Sequence, residues 1–253
     1  MNWVAWSASF LGTGVEFVEA LTIVIAVGTV RGWRSALAGA LAAAAVLAVL
    51  VAIIGAPLAH VVQIGWVQVL VGVFMLLFGI RWLRKAILRY AGLKALHDEA
   101  ASFAKEVERQ RKAGGAGAGI DRFAFATTFS GTFLEGLEAI FIVITVGLSA
   151  GAMAASVGGA VVATILVSAA GLALRGPLAR VPENTMKYVV GVMLSSFGAF
   201  WTGEGLGVAW PGDDLAIVGM VIGFLLFSWL IVRSLRRAAA PPAGVPGPEV
   251  HSA

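Results

Sequence analysis

GTGVEFVEALTIVIAVG at residues 12–28 and GTFLEGLEAIFIVITVG at residues 131–147 are two versions of one segment, 119 positions apart. Each sets a Glu-x-x-Glu pair, Glu16/Glu19 and Glu135/Glu138, inside an otherwise apolar run. An acidic residue at membrane depth costs roughly 2.5–3.5 kcal/mol on insertion scales. Four of them without partners would cost on the order of 10 kcal/mol. Neither run contains a Lys or Arg. The pattern therefore predicts a positive visitor, a proton or a metal ion, and with it cation transport.

The rest of the chain fits a membrane protein. It has 253 residues, 59% hydrophobic and only 13% charged, with mean hydropathy +0.92. That charged share is about half of what a soluble domain carries. The absence of cysteine excludes disulfides, thiolate metal sites and redox motifs. Seven spans are expected, at about 8–30, 35–56, 62–83, 123–148, 152–174, 185–206 and 214–232. The N-terminal MNWVAWSASF has no basic n-region and reads as the start of the first span, not a cleaved signal. On this plan all 18 Lys and Arg fall on one face of the membrane. The positive-inside rule then puts the N-terminus outside and the C-terminus in the cytoplasm, in a plasma or inner membrane. The pI near 9.9 reflects this topology and not nucleic-acid binding.

The repeat extends beyond the acidic pairs. LVGVFMLLFGIRW (70–82) aligns with VVGVMLSSFGAFW (189–201) at the same offset, and APLAH (56–60) resembles GPLAR (176–180). Each unit holds three spans, an odd number, so the second enters the membrane inverted, an arrangement common among transporters. The expected fold is an all-α polytopic membrane protein of seven transmembrane helices, two inverted three-helix repeats plus a seventh helix. Its expected parts are residues 1–83, a cytoplasmic loop and helix at 84–122, the second unit at 123–206, the seventh span at 207–232 and a disordered tail at 233–253.

Residues i and i+3 share a helix face. Glu16 with Glu19, and Glu135 with Glu138, therefore present two carboxylates each toward a common centre if the inverted units meet at mid-membrane. Oxygen donors suit hard cations such as Fe³⁺, Mn²⁺, Mg²⁺ or Ca²⁺. Crowded carboxylates hold protons when empty, and metal binding releases them, which offers a coupling route. A rival structural reading has the four glutamates satisfying one another as protonated packing elements; intramembrane acids weigh against it.

LEGLEA at 134–139, followed by an Ile/Val-rich helix, resembles the motif of the iron permease family of oxidase-dependent iron transporters. That family carries Arg-Glu-x-x-Glu on the first and fourth of seven spans. The resemblance implies Fe³⁺ uptake with Glu16, Glu19, Glu135 and Glu138 as ligands, and an oxidase or extracytoplasmic metal-delivery protein as partner. Fe²⁺, Mn²⁺ and Ca²⁺ are the other cargo candidates, and no prosthetic group is implied. The family arginine is Val15 in the first motif and Leu134 in the second.

Further residues carry weaker signals. Thr13 and Thr132 lie one turn before the pairs and offer hydroxyl ligands, with helix packing the blander reading. Glu204 is placed at an outer vestibule or as an accessory ligand, and Asp213 with Asp214 as a turn before the last helix. His60 reads as an outer-loop residue. The 98–112 charge run reads as a solvated helix face. No phosphate-binding loop or nucleophile set points to an enzyme. The alternative is a proton-coupled carrier of small organic cations or amino acids using the same carboxylates as relays. A homo-oligomer is compatible with either.

Overall fold

The computed structural model describes residues 2–61, 64–113, 119–174, 182–213 and 215–239, all-helical among them. The helices are α1 (Trp3–Arg31), α2 (Trp33–Val61), α3 (Gly65–Tyr90), α4 (Glu99–Lys112), α5 (Arg122–Ser149), α6 (Met153–Leu174), α7 (Glu183–Gly205) and α8 (Leu215–Ala239). Six of them, α1, α2, α3, α5, α6 and α8, are long and apolar enough to cross a membrane. The chain is an integral membrane protein.

Helix ends follow local chemistry. The Asn2 side chain accepts from the Ala5 amide at the start of α1, and Asp98 and Asp121 cap α4 and α5 by accepting from backbone amides two and three residues on. Gly32 (φ 101°) and Gly151 (φ 56°) stand in the two tight connections, α1 to α2 and α5 to α6. Their left-handed backbone is the region glycine enters without penalty.

α1 is the central helix, with 67% of its apolar window buried against 6% for α8. It packs on α5 and α6, while α2 packs on α5 and α3 on α7. The core joins α1, α3, α5 and α7 through Ala5, Ala8, Met75, Ile142, Val146 and Leu194, among others. Large apolar side chains such as Leu41, Leu77, Ile165 and Leu226 stay exposed on the outer helices, as lipid-facing positions do.

Glycines set the closest approaches. Gly65, Gly72 and Gly79 of α3 face Gly205, Gly198 and Gly191 of α7, so the two helices run antiparallel with their backbones in contact. A Cβ added at Gly198 would collide with the backbone nitrogen of Leu76. Between α1 and α5, Gly12 packs on Ile142 and Gly131 packs on Ile23, again an antiparallel crossing. This packing explains why α7 is the least apolar of the long helices. Its buried Ser195, Gly191 and Gly198 serve contact with α3, not with lipid.

Three features differ from expectation. The 84–122 segment is not loop from its start, because α3 continues to Tyr90. The last helix runs to Ala239, beyond the expected end at 232. The 98–112 run is solvated on one face only: Lys105, Glu108, Arg109, Arg111 and Lys112 are exposed, while the other face of α4 lies along the second half of α1, with Glu99 and Gln110 buried. The His60 side chain, Asp214 and the tail at 240–253 lie outside the described residues, while Asp213 does sit in a turn before α8, at φ 48°.

Candidate metal centre

Glu16 and Glu135 occur near the middle of α1 and α5, the two helices that cross at the Gly12–Ile142 and Ile23–Gly131 contacts. Antiparallel crossing carries the two motifs toward each other. Carboxylate oxygens of Glu16, Glu19 and Glu135 lie within 4.8 Å of one another. Glu16 is fully buried, and neither of its oxygens has a hydrogen-bond partner among the described residues. The hydroxyls of Thr13 and Thr132 are likewise buried and unpartnered there. Buried polar atoms are nearly always satisfied, so orphans of this kind point to a missing ligand.

Two expected members stand apart. Glu138 lies outside that group and is 3.7 Å from Arg81 Nη2, both side chains partly open. Glu204 accepts from Gln68 Nε2 at 2.6 Å near the far end of α7. It sits about 26 Å along the helix from Lys187.

The positive charge at this site was not anticipated. Lys187, in the second turn of α7, pairs directly with Glu19 and lies 3.4 Å from Glu183 and 3.9 Å from Glu16. The acidic pairs are therefore not without a basic neighbour. The lysine comes from α7, whereas the motif positions themselves hold Val15 and Leu134. Its i, i+4 spacing from Glu183 is the signal the sequence offers.

A second group borders the first. His97 Nε2 is 3.1 Å from Glu99 Oε1 and 3.2 Å from Glu183 Oε2, and Glu19, His97, Glu99 and Glu183 offer ligand atoms within 4.8 Å of one another. The Thr22 hydroxyl donates to Glu99 at 2.7 Å. Burial alone would raise the Glu99 pKa, but the neighbours His97, Glu183 and Thr22 outweigh it and hold it at about 2. Asn184 fixes His97 by accepting from its amide and donating to its carbonyl, both at 3.2 Å. At the other end of α4, the Gln110 carbonyl accepts from Arg31, which also pairs with Asp121.

A groove of about 780 Å³ runs between α1 and α4, from Glu19 and Glu135 past Glu99 to Lys112. The site is thus reachable from the Arg31 side.

Neither a curated protein nor a solved structure matches the chain. A family model described as ferrous iron uptake permease, iron-lead transporter, matches residues 58–233, which takes in the second acidic motif, Glu183, Lys187 and the whole of α4. The match covers well over half of the sequence, and the chain belongs to the iron uptake permease family.

Proposed function

We propose that the protein moves iron across the membrane as a secondary permease, binding the ion at Glu16, Glu19 and Glu135. The single observation that carries this reading is the fully buried Glu16. Its two oxygens have no hydrogen-bond partner among the described residues and face the carboxylates of Glu19 and Glu135. Thr13 and Thr132 are proposed to complete the oxygen shell, and Glu138 to guard the approach with Arg81. The family's description names ferrous iron, so Fe²⁺ is the cargo to test first and Fe³⁺ second.

Lys187 fits the coupling. With no ion bound, its ammonium balances Glu19; an arriving metal takes over that carboxylate and releases it. The reciprocal Gly12–Ile142 and Gly131–Ile23 contacts, and the α3–α7 glycine ladder, support a seven-span plan of two inverted units. On that plan the groove beside α4 is the cytoplasmic access path of one state in an alternating-access cycle.

The test is uptake of Fe²⁺, chelated Fe³⁺, Mn²⁺ and Ca²⁺ into proteoliposomes, with Glu16→Gln and Glu135→Gln alongside. Iron flux abolished by both substitutions is expected. Iron flux that survives both would refute this site.

A further inference from the structure

We propose that His97, Glu99 and Glu183, with Glu19 shared, form a second cation site that receives the ion leaving Glu16, Glu19 and Glu135. The proposal rests on the cargo reading of that first group and extends it by one step toward the Arg31 side. Four donors from three helices and the α4 entrance meet here: Glu19 from α1, Glu183 from α7, Glu99 from α4 and His97 just before it. Donors about 2.1 Å from a transition-metal ion can lie at most about 4.2 Å apart. Four such donors around one ion stand about 3.4 Å apart, so ligand atoms that lie within 4.8 Å of one another must draw in by at most about 0.8 Å each.

The independent sign of a ligand is Glu183. It is 2% exposed, and neither of its oxygens has a hydrogen-bond partner among the described residues, although His97 and Lys187 stand within ion-pair reach. The other donors are already aimed. Thr22 orients Glu99, and Asn184 clamps the His97 backbone on both sides, the kind of outer support that fixes metal ligands. Lys187 stands at the boundary between the groups, held by Glu19 and Glu183.

Donor chemistry separates the two sites. Glu16, Glu19 and Glu135 offer oxygen alone, whereas the second adds an imidazole nitrogen. Imidazole with carboxylates favours a borderline divalent ion such as Fe²⁺ or Co²⁺ over Ca²⁺ or Mg²⁺. Sharing Glu19 lets one carboxylate swing the ion from one group to the next without releasing it to solvent. The groove along α4 then leads it away.

The test titrates Co²⁺ into metal-free, full-length protein in detergent, following bound metal by equilibrium dialysis and ligand type by visible absorption. Two equivalents per chain are expected. His97→Gln should lose one equivalent together with the nitrogen-dependent band, Glu183→Gln should lose the same equivalent, and Glu16→Gln should lose the other and keep that band. A wild-type protein binding one equivalent, lost in Glu16→Gln and unchanged in His97→Gln and Glu183→Gln, overturns the second site and leaves the cargo reading intact. One equivalent lost in His97→Gln and Glu183→Gln but kept in Glu16→Gln supports the second site and refutes the first. No bound Co²⁺ in the wild-type protein overturns both.

Discussion

Replacing Lys187 by methionine keeps the aliphatic stem and removes the ammonium that touches Glu19 and lies 3.4 Å from Glu183 and 3.9 Å from Glu16. The Lys187 side chain is 13% exposed and Glu16 is not exposed at all, so solvent screens little of this interaction. Removing one partner of a buried ion pair costs about 3–5 kcal/mol, because the remaining charge is left unbalanced. At about 2–4 °C per kcal/mol for a chain of this size, the melting temperature should fall on the order of 10 °C. A bound divalent ion supplies the missing charge, and saturation at a hundred times Kd returns about 2.7 kcal/mol. In the Lys187→Met variant no ammonium competes with the metal, so Mn²⁺ should stabilise that variant more than it stabilises the wild-type protein. The assay is tryptophan-fluorescence melting of detergent-purified protein with and without Mn²⁺, and Lys187→Arg is the control that keeps the charge. A loss below about 1 kcal/mol, or equal Mn²⁺ shifts in both proteins, would refute the tethered-counterion reasoning.

Three other outcomes are expected. Glu135→Gln should abolish iron uptake while Glu138→Gln only lowers it, since Glu138 lies outside the carboxylate group; initial uptake rates in proteoliposomes check the order. Gly198→Ala should destabilise by about 1–3 kcal/mol or more, because its Cβ meets backbone, whereas Gly219→Ala, with open space around it, should be neutral or up to about 1 kcal/mol stabilising; melting of the two variants separates them. Glu99 has a folded pKa of about 2 against an ordinary 4.5, so its contribution to α4 docking is present above about 4.5 and lost as pH falls toward about 2. Protease cleavage within α4 should rise over that window, and Glu99→Gln should flatten the rise.

The helical membrane class and the duplicated acidic motif were legible because both are local patterns. Apolar length marks the spans, and i, i+3 spacing puts each pair on one face. The α3–α7 pairing was half legible: the aligned VGVFMLLFG and VGVMLSSFG segments carry Gly72, Gly79, Gly191 and Gly198, but their mutual contact depends on tertiary packing. His97 and Glu99 were not legible as site residues. Their charged neighbours make α4 look like an ordinary surface helix, and only its docking on α1 brings them to Glu19. Lys187 escaped notice for a related reason, since counting basic residues for topology assigns a loop role to a side chain that turns inward. Glu138 shows where local pattern stops: a motif symmetric in sequence is not symmetric in its contacts, because Arg81 is near one copy and Lys187 the other.

The glycine ladder bears on which parts of the molecule can move. Where α3 and α7 meet, backbone faces backbone, and shifting either helix by one residue would drive a side chain into the opposing chain. Such a seam has one register and no intermediate positions. The pair must travel as a single rigid strut, carrying Lys187 and Glu183 with it at one end. In the proposed alternating-access cycle, relative motion is then confined to interfaces built from side chains, above all α1 against α4 and α7, and the carboxylates open or close according to where the strut leans.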